Sequence, residues 1–335
     1  MDIKDFNYDL PREFIAQYPL IKRDEAKLLV LDRKTQKIEH RIFKDIIDYF
    51  NPGDCLVLND TKVMPARLFG HKPTGGKVEV LLVLRQKNNI WEVLVNPGRR
   101  LKPGTEIVFK DGLLAGRILG RTDNGNWTIE FTTDRDFFKV LEEIGVAPLP
   151  HYIDRPAEPS DRLTYQTVYA LHAGAIAAPT AGLHFTPELL TSIEKKGIKT
   201  AYVTLDIGIG TFRPIKVKTI EAHIMDAEHY EIAKPAADVI KKSERLFAVG
   251  TSAVRALEHS ALNGNRPSAW ADLFIYPGFE FRVIGHLITN FHLPCSTPLL
   301  LVCAFAGKEL IFDAYEQAKK KNYRFLSYGD AMVIL

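Results

Sequence analysis

The sequence predicts an α/β fold: a layered sheet domain flanked by helices, with an inserted small antiparallel β-barrel domain. Two observations predict it. Between residues 65 and 132, short β-like runs recur at even spacing with Gly and Asn punctuation, the texture of a small barrel or sandwich. On both sides of that block strand-like and helix-like segments alternate, which argues for a sheet covered by helices on both faces. The length of 335 residues suits about two domains. The expected division is a discontinuous α/β domain, 1–64 with 133–335, and a barrel insert, 65–132.

From the start of the chain, Pro11 opens an expected helix at 11–18, because Pro tolerates the first helical position. Residues 28–32 suit a buried strand and 43–50 have helical spacing. Asn51-Pro52-Gly53-Asp54 then forces a turn before a strand at 55–59. The insert's strands are expected at 67–71, 77–85, 90–96, 105–109, 113–119 and 127–131, divided by turns such as Pro73-Thr74-Gly75-Gly76 and Asn124-Gly125. Asp134 is the expected cap of a helix that reaches Ile144 and ends at Gly145. Beyond Pro150, Thr186 caps a helix with Pro187 in its first position and Gly197 at its end. Strands at 198–205, 246–249, 273–276 and 284–289 interleave with helices at 235–244 and 252–262. Thr297-Pro298 opens an apolar helix stopped by Gly307, and 308–321 is amphipathic.

Composition narrows the function classes. With 46% hydrophobic and 25% charged residues, disorder, collagen and coiled coil are excluded. The longest apolar run, 298–307, is about half of the ~20 residues a spanning helix needs, so no membrane association is expected. The opening Met1-Asp2-Ile3-Lys4-Asp5 lacks the basic and apolar regions of an export signal. Three cysteines, Cys55, Cys295 and Cys303, sit in apolar runs and read as reduced thiols of a cytoplasmic protein. A net charge of +3 is small for a protein that coats duplex, but it permits a local basic face for a compact RNA element. Ten histidines contain no His-Glu-x-x-His or His-x-His pattern, so no metal site is expected. Walker and Gly-x-Ser-x-Gly signatures are absent too, which removes the usual hardware for nucleotide hydrolysis and serine-esterase chemistry.

Four glycine- and hydroxyl-rich turns in the second half carry the candidate chemistry. In Ala-Pro-Thr-Ala-Gly-Leu-His-Phe-Thr (178–186), Gly182 lets backbone approach a ligand while Thr180 and His184 supply polar groups. His184 leads the acid/base candidates because imidazole titrates near neutrality; a tight turn around a satisfied core histidine is the even alternative. Leu205-Asp206-Ile207-Gly208-Ile209-Gly210-Thr211-Phe212-Arg213-Pro214 resembles the glycine loop of the common S-adenosylmethionine-dependent methyltransferases. That loop must open a helix, however, and Pro214 disfavours helical geometry at Arg213. The following 215–218 suit a strand instead. Gly208 and Gly210 stay open between ligand approach and a structural role. Val249-Gly250-Thr251-Ser252-Ala253-Val254-Arg255 ends a strand and opens a helix capped by Thr251 or Ser252. Free N–H groups there suit a carboxylate or phosphate, and Arg255 can add a bidentate contact. In Thr289-Asn290-Phe291-His292-Leu293-Pro294, Asn290 and His292 flank an aromatic ring, as a purine-sized pocket would; a capping turn is the alternative. Ser327-Tyr328-Gly329-Asp330 is a weaker candidate. Basic residues cluster at Arg99, Arg100 and Lys102 and again at Arg213, Lys216 and Lys218. Each cluster alone suits a solvated surface, and together they can grip an RNA stem-loop.

In this order, the four turns resemble the S-adenosylmethionine:tRNA ribosyltransferase-isomerase family. Leu-Asn-Asp-Thr-Lys-Val-x-Pro-Ala-Arg-Leu (58–68), Tyr-Gln-Thr-Val-Tyr-Ala (165–170) and Ser-Tyr-Gly-Asp-Ala-Met (327–332) match as well, so the resemblance covers essentially the whole chain. Asp206 and Asp226 stand where His is expected in many relatives. The resemblance implies transfer and isomerisation of the ribosyl part of S-adenosylmethionine onto 7-aminomethyl-7-deazaguanine at the tRNA wobble position. By the same resemblance the expected products are epoxyqueuosine-tRNA, adenine and methionine. It implies no cofactor, since S-adenosylmethionine is consumed as donor, and as partner a tRNA anticodon stem-loop; the chain is expected to be a monomer. His184 and His292 are then expected to share acid and base work, with Gly210 and Thr211 near S-adenosylmethionine. Gly250, Thr251, Ser252 and Arg255 would hold its carboxylate or an RNA phosphate, and Glu221, His223 or Glu228 offer an alternative base. A methyltransferase and a non-catalytic RNA-binding protein are the rival readings, and the second leaves the glycine turns without a task.

Overall fold

The computed structural model describes residues 1–99, 101–212 and 215–335, without the side chains of 211 and 212. Along the chain run β1 (Lys27–Leu31), β2 (Ile38–Ile42), β3 (Cys55–Asn59), β4 (Thr61–Val63), β5 (Arg67–His71) and β6 (Lys77–Lys87). Then come β7 (Ile90–Asn96), β8 (Glu106–Phe109), β9 (Leu114–Arg121), β10 (Trp127–Thr132), α1 (Phe137–Ile144), α2 (Asp161–Thr164) and β11 (His172–Ala175). The remainder is α3 (Pro187–Lys195), β12 (Lys199–Leu205), β13 (Glu228–Glu231), α4 (Lys234–Lys242), β14 (Leu246–Val249), α5 (Gly250–Leu262) and β15 (Ser268–Ala271). It closes with β16 (His286–Asn290), α6 (Thr297–Ala306), α7 (Lys308–Lys320) and β17 (Ala331–Ile334).

The chain divides into two compact units, 1–62 with 151–155 and 166–335, and 63–150 with 156–165. In the first, nine strands form a mixed sheet in the order β15-β13-β12-β3-β14-β16-β17-β1-β2. Neighbours β12, β3, β14 and β16 are parallel, while β17 runs antiparallel to β16 and parallel to β1. The two most central strands carry unbroken apolar runs, 55–58 and 246–249, because both faces are covered. In β3, Cys55 and Val57 join one core while Leu56 and Leu58 join the other; β14 divides Leu246 and Ala248 from Phe247 and Val249 in the same way. Helices α5, α6 and α7 supply the first core, and α3 with the 3-10 turn Phe43–Tyr49 supplies the second. This is the layered sheet with helices on both faces.

In the second unit β5–β10 close a six-stranded antiparallel barrel, ordered β10-β7-β6-β5-β8-β9. Val78, Val80 and Leu82 of β6 are buried at alternate positions, as a barrel wall requires. The compact unit extends past the expected 65–132. Phe137 of α1 lies with its ring 5.7 Å from Trp91 and 5.3 Å from Phe131, so the helix belongs to the barrel's core and not to the sheet.

Other expectations need correction. Asp136, not Asp134, caps α1, accepting from the Lys139 N–H at 2.9 Å. The helix expected at 11–18 is one 3-10 turn, Arg12–Phe14, because Ile15 and Ala16 are drawn into backbone pairing with Phe325. Residues 273–276 are irregular, with 273–275 on the cleft wall, and 215–217 are irregular as well. No side chain caps α5, whose N-cap is Val249. Among the described residues no helix is long and apolar enough to cross a membrane.

Candidate active site

Because β3, β12, β14 and β16 are parallel, Asn59, Leu205, Val249 and Asn290 end on one edge of the sheet. The crevice beyond the carboxyl ends of such strands is where open α/β sheets bind ligands. A cleft enclosing about 950 Å³, including its open mouth, lies there and is large enough for a nucleoside-sized ligand. All four glycine-rich turns reach it, through 178–181, Ile207, the segment from Gly250 to Arg255, and 289–293.

Asn290 is the hub of one wall. Its Nδ2 donates to the His184 Nε2 at 3.2 Å and points to the Leu326 and Asp330 carbonyls at 3.3 and 3.5 Å; its Oδ1 accepts from the Thr180 hydroxyl at 2.9 Å. The two carbonyl oxygens around this atom identify it as the amide nitrogen. His184 is therefore a neutral acceptor at Nε2. Burial, reinforced by Arg324, pushes its pKa down to about 3. The ring packs 4.9 Å from Phe43 and does not line the cleft. The geometry sets His184 behind Asn290 as its support, whereas Thr180 lines the cleft and keeps lone pairs for a ligand.

His292 does line the cleft. Its Nε2 lies 2.7 Å from the Thr289 hydroxyl, its N–H donates to Tyr315 Oη at 3.0 Å, and its carbonyl accepts from the Tyr8 hydroxyl. Desolvation pushes this imidazole to about 3 as well, so it is neutral at physiological pH.

Opposite, Gly250, Thr251 and Ser252 open α5 at the cleft without a side-chain cap, so its first N–H groups face the ligand space. Gly250 has φ +86°, a conformation that only glycine adopts without strain. Ser252 Oγ accepts from Asn59 Nδ2 at 3.0 Å, which ties this turn to the end of β3. Arg255 is already committed: it pairs with the buried Glu228 carboxylate and donates to the Ala271 and Leu273 carbonyls at 2.8 and 3.2 Å. Glu228 also accepts from the Gly208 N–H at 2.8 Å. Arg255 thus braces the cleft instead of offering a free guanidinium to a carboxylate.

Several expected contacts lie elsewhere. A Cβ on Gly182 would sit 2.0 Å from Tyr169 Oη, so this glycine makes room for a tyrosine. Gly208 and Gly210 do not line the cleft; they pack against Glu228 and Asp226. Asp206 accepts from the Thr61 hydroxyl at 2.9 Å, and burial raises its pKa. Glu221 is taken by the N-terminal ammonium at 2.7 Å. Arg99 and Lys102 are exposed in the barrel unit and Lys216 is exposed in the sheet unit, while Arg100, Arg213 and the Thr211 side chain lie outside the described residues. The cleft also holds Tyr152, bonded to Ser327 at 2.6 Å, and Phe274, neither of which carries a sequence signal of its own. Among the described residues no three His, Cys, Asp or Glu side chains are grouped to hold a metal ion.

A family model described as queuosine biosynthesis protein matches residues 3–334. The chain belongs to that family. Within the queuosine biosynthesis family, proteins named S-adenosylmethionine:tRNA ribosyltransferase-isomerase from Halothermothrix orenii, Acetivibrio thermocellus and Clostridioides difficile are 51%, 49% and 48% identical to it. In each case 100% of both chains is covered. A crystal structure of S-adenosylmethionine tRNA ribosyltransferase from Thermotoga maritima is 40% identical, with a TM-score of 0.56, over 99% of this chain and 100% of that one. Identity at this level over full length makes this family member an enzyme.

Proposed function

We propose that the cleft holds S-adenosylmethionine beside a 7-aminomethyl-7-deazaguanine withdrawn from the wobble position of tRNA. There the ribosyl group is transferred and rearranged, giving epoxyqueuosine-tRNA, adenine and methionine. The observation that carries this reading is the convergence of the four turns on one cleft at the carboxyl edge of the sheet. The chain acts in the cytoplasm as a monomer, and Arg99, Arg100, Lys102, Arg213 and Lys216 meet RNA phosphates.

The sulfonium acidifies the ribose 5′ carbon, so a positioned general base can form an ylide. His292 is neutral and faces the ligand, which assigns it that task, with Thr289 orienting its ring. A desolvated imidazolium is a strong acid, so the same ring returns the proton to adenine as it leaves. The uncapped start of α5 holds the methionine carboxylate through backbone N–H groups. Thr180 accepts from ribose or adenine, and His184 keeps the Asn290 carboxamide oriented for Thr180.

Incubation with labelled S-adenosylmethionine and undermodified tRNA tests this. Adenine and methionine in the products support it; S-adenosylhomocysteine would instead mean methyl transfer. His292→Asn should abolish adenine release while leaving donor binding intact.

A further inference from the structure

We propose that His223, Ile224, Phe274 and Tyr276 form the face on which RNA bases beside the withdrawn nucleoside stack, and that Ile224 fills the gap it leaves. This rests on the RNA reading above. Ile224 is 90% exposed, yet it stands between two anchored neighbours. Met225 is buried and lines the cleft. His223 meets Phe274 edge-on at 4.9 Å, and Phe274, itself a lining residue, lies 5.1 Å from Tyr276. A row of three rings therefore passes through one lining residue of the cleft, Phe274, and ends beside an aliphatic side chain held in water.

That side chain is held in a set place. Ile220 is fully buried, its N–H donates to the Met1 carbonyl at 2.9 Å, and Ile3 N–H donates to the Lys218 carbonyl at 2.9 Å. Lys216 and Lys218 are exposed on the same segment and supply positive charge for a phosphate backbone. Extracting a base leaves an unstacked step, and proteins that open such steps fill them with apolar wedges while ring faces take the neighbouring bases. One isoleucine beside half-buried rings and lysines fits that partner chemistry.

The test is steady-state kinetics of adenine release with the anticodon stem-loop as varied substrate. Ile224→Asp should raise KM for the RNA by about tenfold, Ile224→Leu should behave as the parent, and S-adenosylmethionine binding and thermal midpoint should not change. An Ile224→Asp enzyme within twofold of the parent overturns the proposal. So does one that loses donor binding in parallel, since Ile224 would then be shaping the cleft. A parent protein that releases no adenine with any tRNA would overturn the RNA reading itself, a separate outcome.

Discussion

The Asn290 carboxamide donates to the Nε2 of His184 at 3.2 Å, which makes His184 the support of a cleft residue and not a cleft residue itself. His184→Gln should weaken S-adenosylmethionine by about tenfold, through KM more than kcat, since one to two hydrogen bonds lose their alignment. The rate profile between pH 5.5 and 9 should keep its shape. Combining it with Thr180→Val should cost less than the sum of the single changes, because both act through Asn290. Enzyme kinetics of the three variants checks this.

His184 and His292 titrate near 3 when folded and near 6.5 when unfolded. Between those values the unfolded chain binds protons that the native state refuses. Their contribution is thus fully present above about pH 6.5 and is lost as the pH falls towards 3. Each group adds a slope of about 1.4 kcal/mol per pH unit inside that window. Urea unfolding at several pH values should show a steep acid loss of stability, and His184→Gln should make it shallower.

Gly182 and Gly250 should fail in different ways. Gly182→Ala places a methyl on Tyr169 Oη and should lower stability by about 1–3 kcal/mol. Adding Tyr169→Phe should recover only part of it, since Thr167 Cγ2 stays 2.9 Å from the new carbon. Gly250→Ala has open space around it, its nearest atoms being 3.7 Å away, but carries a positive φ. It should cost about 1–2 kcal/mol and disturb the α5 N–H groups, weakening the donor. Thermal unfolding with calorimetric titration separates the two.

Arg255 and Glu228 are 6% and 4% exposed and neutralise each other. Arg255→Met leaves a buried carboxylate uncompensated and should destabilise by about 3–5 kcal/mol. Pairing it with Glu228→Gln should restore a good part of that stability in denaturant unfolding.

Arg99→Ala with Lys102→Ala should weaken tRNA binding at low salt and reduce the slope of log affinity against log salt. The expected change is about 0.7–0.9 for each phosphate that is no longer neutralised. An unchanged slope would remove these residues from the RNA surface.

What could be read from the sequence follows from local patterning. The barrel was legible because its short β-like runs recur at even spacing between Gly- and Asn-bearing turns, and the sheet because residues 28–31, 55–58 and 246–249 are unbroken apolar runs. The edges were not. Strand β2 carries Glu39, His40 and Arg41 on exposed positions, and β13 and β15 pair at the other edge through residues as polar as Glu231 and Ser268. Of the site, the turns announced themselves by Gly and Thr, but the side on which a histidine falls is a tertiary fact. His184 and His292 sit in similar-looking turns, and only packing against Phe43 turns the first inward. The partner of Arg255 lies on another strand, so no spacing rule links it to Glu228.

Strand β17 lies between β16 and β1, which gives the sheet a long-range seam. During synthesis Leu28–Leu31, apolar on both sides, must wait without its inner neighbour until residues 331–334 leave the ribosome, whereas the barrel strands can close among themselves long before. Assembly of this molecule is therefore ordered, with the insert finished first and the sheet unit exposed to chaperones and proteases until β17 docks.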